Sequence, residues 1–558
     1  MMNFSSRVTK KLCPYLKNST VREEAASTAY SLPDAMKQCP YVKDLYSGFG
    51  VEDQKDTNNL ESSPRKLGII PSSSNQPKLF KMEQSETSCK CKDFYADEKK
   101  AECPMKSSEE ISESNPTQYD HKFDDAITQL KDEGRYRKFI NVERHMGSFP
   151  RATRREQKDK SEVVVWCSND YLGMGQHPKI LTAMHNAIDN SGAGSGGTRN
   201  IGGNTKYIEE LENEVAQLHG KEKGLIFSSC YVANETTLTT LPQILGPDTI
   251  YFSDSKNHAS LIHGMRNGRC DRKVFRHNDV EHLEELLKET DISRPKIIVF
   301  ESVYSMCGTV GPIKEIVDLA EKYDALCFLD EVHAVGLYGP SGAGVAELIE
   351  SHSDRVMISG TLGKGFGVYG GYVTGNANLI DVVRSNGAGF IFTTSLPPTV
   401  LAGAKASINH LRTSQKERSK HRYNTSTLLG KLIDQNLPVM KSDSHILPLF
   451  IGNPVMARTA SDMLLDEFNI YVQPINYPTV PKGEERLRIS PSPLHTEQMM
   501  DDFAGAAREV WTNLGLKLLD DYLVEPEMHE KFFLPAKKGK KIDIGDNHLY
   551  TYMDSLIL

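Results

Sequence analysis

A lysine set among glycines, Thr361-Leu362-Gly363-Lys364-Gly365-Phe366-Gly367, follows an acid and a histidine in Phe328-Leu329-Asp330-Glu331-Val332-His333. The separation accommodates one helix and one further strand, so a strand-end acid and a lysine on the next loop can face each other. An aldehyde cofactor such as pyridoxal 5'-phosphate (PLP) needs that pair. It needs an amine to form a Schiff base and an acid beside its ring nitrogen, so that the protonated ring withdraws electrons. Lys364 and Asp330 fit those two roles. Each motif alone also fits an ordinary loop or strand-to-helix turn, and their joint occurrence favours the cofactor site.

The elements around the pair support this. Residues 296–300 form an apolar β-branched run, Ile313, Ile316, Val317 and Ala320 recur at helical spacing, and residues 325–329 are apolar again. This reads as strand, helix and buried strand, with Asp330 at the carboxyl end, where open α/β sheets bind ligands. Strands and helices alternate from Leu225 to about residue 430, which predicts a large domain with a mostly parallel sheet. Residues 224–227 read as a strand and residues 228–234 as the start of a helix, whose free amides suit a phosphate. Gly192-Ala193-Gly194-Ser195-Gly196-Gly197 contains G-x-G-x-x-G, but it follows a helix and opens none, which excludes a dinucleotide fingerprint.

The chain has 558 residues, 25% charged and 38% hydrophobic, enough for two or three domains of ordinary soluble composition. No apolar run approaches the roughly 20 residues of a membrane span. A net charge of −8 gives no reason to expect nucleic acid. The ten cysteines are scattered, which suggests reduced thiols. Arg7, Lys10, Lys11, Lys17 and Arg22 precede the first acid, Glu23, and are interleaved with Ser and Thr, as in a mitochondrial transit peptide. The polar stretch that follows predicts disorder. It holds Cys13-Pro14, Cys39-Pro40 and Cys103-Pro104, pairs that present a thiolate outward to a soft ligand such as haem iron.

The expected divisions are a transit peptide and disordered regulatory region at 1–121, an N-terminal lead-in segment at 122–185, a large cofactor domain at 186–430, a small C-terminal domain at 431–515 and an extension at 516–558.

Ser168-Asn169-Asp170-Tyr171-Leu172, Gly196-Gly197-Thr198-Arg199-Asn200, Asn257-His258-Ala259-Ser260, Asp330-Glu331-Val332-His333 and Thr361-Leu362-Gly363-Lys364 occur in this order. Over about residues 122–515 the chain resembles the α-oxoamine synthases, a branch of the fold-type I PLP enzymes. That resemblance implies an α/β fold: a large domain with a mostly parallel, seven-stranded sheet and a smaller α+β C-terminal domain. Segments 300–306, 334–339, 389–394 and 476–480 are similar to the members that condense glycine with succinyl-CoA, giving 5-aminolevulinate, CoA and carbon dioxide, the first step of haem synthesis. A family member using another acyl-CoA or amino acid, or a non-catalytic haem-sensing relative, is the alternative.

By the same resemblance Lys364 holds PLP and moves the α-proton of glycine, Asp330 pairs with the ring nitrogen, His258 stacks on the ring and His333 bonds its phenolic oxygen. Ser305 lies near the cofactor. The amides of Cys230 and Tyr231, with Thr361 and, from a second subunit, Thr393 and Thr394, hold the phosphate, which implies a homodimer with shared sites. Arg488 is the fork for the glycine carboxylate, with Arg486 the alternative. Arg137, Asn169, Thr198, Asn200, Ser253, Thr479 and Arg272 complete the substrate contacts, Lys273 competing with Arg272 for CoA. The N-terminal extension resembles that of eukaryotic members and implies a mitochondrial matrix enzyme, with haem acting through Cys13, Cys39 and Cys103.

Overall fold

The computed structural model of the protein describes residues 117–156 and 159–534. The presequence, Cys13, Cys39, Cys103 and the last part of the extension lie outside them.

After β1 (Val142–Arg144), β2 (Arg151–Glu156) and β3 (Asp159–Val165), the central sheet is built from β4 (Lys223–Phe227), β5 (Ile250–Asp254), β6 (Asp271–Phe275), β7 (Lys296–Glu301), β8 (Ala325–Asp330), β9 (Val356–Thr361) and β10 (Gly371–Gly375). Their order is β4-β10-β9-β8-β7-β5-β6. β10 is antiparallel to both neighbours, and the other contacts are parallel. A sheet covered on both faces wants near-continuous apolar strands, and side-chain alternation sorts them. Ile298 and Phe300 enter one core with Phe252, Leu329 and Ile358, whereas Ile297 and Val299 enter the opposite core with Tyr251, Phe328, Met357 and Val373. The polar residues are left for the carboxyl ends. Glu301 stands beside Asp330, and Asp330 beside Ser359, in adjacent strands.

A second core lies behind β11 (Leu447–Phe450), β13 (Gln473–Ile475) and β14 (Arg486–Ile489), an antiparallel sheet ordered β11-β14-β13. Its boundaries differ from those expected. Leu428, Leu429, Leu432 and Ile433 enter it from the helix Lys416–Asp434, so a division at 431 falls inside one continuous helix. The lead-in segment is divided between the cores. Trp166, after β3 (Asp159–Val165), packs in the second core, and β3 runs parallel to β12 (Ile470–Tyr471). Tyr171, Leu172 and Ile180 pack in the first. The expected extension is also folded as far as residue 534: Leu516 and Leu518 pack on the second core, and Phe533 is buried in it. These residues join because isolated apolar side chains in polar surroundings find partners only in tertiary packing.

The helix Gln118–Asp132, with Thr117 at its N-cap, starts before the lead-in segment expected from residue 122. Its apolar face stays open: Phe123 is 63% exposed.

Phe533→Ala tests whether residues 516–534 belong to the fold. Loss of a buried ring costs about 3–5 kcal/mol, read as a lower urea midpoint. A change under about 1 kcal/mol, the scale of a surface substitution, would show that this segment is an appended tail.

Candidate active site

Lys364 follows β9 on a tight turn. A Cβ on its neighbour Gly365 would lie 2.3 Å from the Val335 carbonyl oxygen, so glycine lets this turn press against the segment carrying His333. Lys364 Nζ lies 3.0 Å from His333 Nε2, and His333 Nδ1 lies 2.8 Å from the Tyr171 hydroxyl. The Tyr171 oxygen also accepts from Arg488, at 2.8 Å, while its proton points to Asn169 Oδ1 at 3.3 Å. This network assigns the histidine proton to Nδ1 and leaves Nε2 to accept from the lysine. Burial, opposed by the charge of Asp330, lowers the Lys364 amine to about 8. Burial and then the charges of Lys364 and Arg488 hold His333 well below its ordinary value, and therefore neutral.

Asp330 is buried, with Asn234 donating to Oδ2 at 2.7 Å and the Val332 amide to Oδ1 at 2.9 Å. Burial raises its pKa, and the Val332 amide, His258, Asn234 and Lys364 oppose the rise. Asn234 also donates to Ser260 Oγ at 3.1 Å, which lies 2.8 Å from His258 Nδ1. The His258 amide donates to Glu301 Oε1 at 2.6 Å. Glu301 is raised well above the usual carboxyl range, first by burial and then by the negative charge of Asp330. Asn234 lies one turn beyond Cys230 in the helix Cys230–Leu245, and Ser229 caps that helix by accepting from the Val232 amide. The Cys230 and Tyr231 amides thus begin a helix that cannot satisfy them itself. Gly371 keeps this end open to the sheet, because a Cβ there would lie 2.1 Å from the Cys230 nitrogen.

The two candidate arginines are distinguished by charge. Arg486 pairs with Glu484 at 3.0 Å and donates to the Met306 carbonyl at 3.3 Å. Arg488 is buried and donates to the Ser305 carbonyl at 2.8 Å, to Ser490 at 3.1 Å and to Asn169 at 3.4 Å. It forms no ion pair with a carboxylate among the described residues. A buried guanidinium held by neutral groups is suited to an external anion.

Lys364, His333, Arg488, Asn169 and Ser305 thus form one network and Asp330 and His258 a second, the two coupled through the charges of Lys364 and Asp330. The other expected residues lie in separate groups. Thr361, at the end of β9, donates to the Gly370 carbonyl and accepts from the Gly363 amide. Thr394 forms a bridge with Thr198, and Thr393 bonds the Gly389 carbonyl. Asn200 lies in the turn Arg199–Gly203. Arg137 and Thr479 line one groove of about 360 Å³ with Tyr477. Ser253 is buried and already bonded, donating to the Asp254 carbonyl and accepting from Asn257. Lys273 turns to Glu289 at 3.3 Å and to Thr290, whereas its neighbour Arg272 is exposed.

Sequence reasoning assigned no role to Tyr171, Asn234 or Glu301. Asn234 was discoverable as the residue one turn after Cys230 on the same helix face. Glu301 was discoverable as the strand-end neighbour of Asp330, and Tyr171 only through tertiary contacts.

The donor set fits PLP: a buried amine, a buried carboxylate held by neutral donors, and a helix start with two free amides. Among the described residues no hydrogen bond of ordinary geometry reaches Ser359 Oγ, buried beside Asp330, which leaves a polar atom for a bound group.

The family model described as aminotransferase class I and II matches residues 161–506. A 5-aminolevulinate synthase of Rickettsia bellii is 51% identical over 72% of this chain and 95% of its own. A mitochondrial 5-aminolevulinate synthase of Yarrowia lipolytica is 41% identical over 93% of this chain and 94% of its own. A Sphingomonas wittichii serine palmitoyltransferase structure superposes with a TM-score of 0.65 at 27% identity, covering 72% of this chain and 98% of that one. With these likenesses spanning the whole of the folded site, the chain belongs to the 5-aminolevulinate synthases, PLP-dependent enzymes within the class I and II aminotransferase family.

Proposed function

We propose that the chain condenses glycine with succinyl-CoA to give 5-aminolevulinate, CoA and carbon dioxide in the mitochondrial matrix. The observation that carries this reading is the Lys364–His333–Tyr171–Arg488 network, which joins an amine of lowered basicity to a buried arginine with no carboxylate partner among the described residues. PLP, when bound, supplies an aldehyde that condenses with amines and a ring that withdraws electrons from the α-carbon of glycine. Arg488 holds the glycine carboxylate by its charge and its remaining N–H, and so orients that carbon. Lys364, with its pKa of about 8, exchanges a proton with the α-carbon near neutral pH. His333 keeps its Nε2 lone pair on the lysine amine and prevents it from drifting. Asp330 holds a proton at the ring nitrogen by a charge-assisted bond, and Asn234 and the Val332 amide hold Asp330. Burial keeps water from competing for these groups.

Arg137 and Thr479 share a groove suited to an acyl-CoA, and the exposure of Arg272 favours it over Lys273 for the CoA contact. A homodimer follows if Thr393 and Thr394 reach the phosphate of a second subunit, since in their own chain Thr394 lies with Thr198 and Thr393 with the Gly389 carbonyl. Haem is proposed to act through Cys13, Cys39 and Cys103, outside the catalytic site.

Lys364→Ala should abolish turnover of glycine and succinyl-CoA, and mixing it with Thr393→Ala/Thr394→Ala subunits should restore part of it. Turnover near the parent level in Lys364→Ala contradicts the base assignment, and mixtures that never recover activity contradict shared sites. Arg488→Leu should raise the KM for glycine at least about tenfold, the loss of a charged hydrogen bond, with the KM for succinyl-CoA little changed. Equal increases in both would place Arg488 outside the glycine site. Replacing all three N-terminal cysteines by alanine should leave catalysis intact and remove haem sensitivity of mitochondrial import. An unchanged response to haem would make the three pairs coincidental.

A further inference from the structure

Away from the active site, His177 begins the helix Pro178–Ser191, accepting at Nδ1 from the Lys179 amide at 3.3 Å. His410 lies near the end of the helix Pro398–Thr413, and Glu417 lies in the first turn of the helix Lys416–Asp434. One ring nitrogen of each histidine and one Glu417 oxygen lie within 4.8 Å of one another. His410 Nε2 is 3.1 Å from Glu417 Oε1, and the two imidazole centroids are 4.4 Å apart. The Ser414 hydroxyl donates to Glu417 Oε2 at 2.5 Å, orienting the carboxylate and leaving Oε1 for the cluster. His410 is 11% and Glu417 16% exposed, which leaves an approach from solvent.

Bonds of about 2.0–2.2 Å from zinc to imidazole nitrogen and carboxylate oxygen place adjacent donor atoms roughly 3 Å apart. His410 and Glu417 already stand at that separation, and a modest closure brings in His177. We propose that His177, His410 and Glu417 form a site for a divalent transition-metal ion, zinc being the ion this donor set suits, with water filling the open positions. The site would tie the start of one large-domain helix to the junction where the chain passes toward the second core.

Lys179 is the competing cation. Its exposed Nζ lies 3.3 Å from His410 Nδ1. In that arrangement Nδ1 accepts and the proton on Nε2 faces Glu417. A metal at Nε2 requires the proton to move to Nδ1 and the lysine to turn into solvent. For His177, binding through Nε2 likewise transfers its proton to Nδ1 and gives up the long contact with the Lys179 amide.

Equilibrium dialysis of the full-length holoenzyme against zinc tests this directly. The parent should bind one ion per subunit that Glu417→Gln and His410→Ala bind at least about tenfold more weakly. Lys179→Ala keeps all three donors and removes a positive charge, so it should bind about fivefold more tightly. Cobalt, used as a spectroscopic probe, should give ligand-field bands of nitrogen and oxygen donors that the two ligand variants lack. Those bands distinguish the site from zinc held by cysteine thiolates. Parent-level turnover in the variants shows that they are folded. Equal zinc stoichiometry and affinity in the parent and both ligand variants overturns the proposal, and so does weaker binding by Lys179→Ala.

Discussion

Burying an amine and a carboxylate close together is costly unless each charge is held by hydrogen bonds, and the organisation of this protein follows from that requirement. Asp330 and Lys364 do not form an ion pair among the described residues. Asp330 is held by an amide side chain and a backbone amide, and Lys364 by a neutral histidine. Each is therefore desolvated without being neutralised by the other. The carboxylate remains available to a cationic ring nitrogen and the amine to an aldehyde or an acidic carbon.

The sheet makes this arrangement possible. Parallel strands carry their apolar residues through two cores and release polar ones at their carboxyl ends. There Glu301, Asp330 and Ser359 stand side by side on β7, β8 and β9. The second core contributes from the other side. β14 brings Arg488 to the Tyr171 hydroxyl and the Ser305 carbonyl. Arg488 thereby joins the second core to residues rooted in the first through one guanidinium.

Much of the site was legible in the sequence, because strand ends and glycine turns are local signals. Lys364, Asp330 and His333 each lie within a few residues of a recognisable strand, and the order of the motifs carried the family resemblance. Domain boundaries were less legible. Trp166 and Phe533 join the second core from far outside it, and nothing in their local sequence marks that destination. The division of Arg486 from Arg488 was also invisible, since it depends on Glu484 being oriented toward one of them. Ser253 illustrates the reverse case: its motif position suggests a substrate contact, yet its hydroxyl is already used inside the fold.

In the proposed reaction Lys364 moves the α-proton of glycine while Asp330 sustains the electron withdrawal that makes this proton acidic. Exchange of that proton with deuterated solvent, followed by NMR with PLP and glycine present and acyl-CoA absent, isolates the step from condensation and product release. The parent should show exchange, Lys364→Ala none above the enzyme-free rate, and Asp330→Ala severely slowed exchange. Parent-level exchange in either variant would contradict these roles.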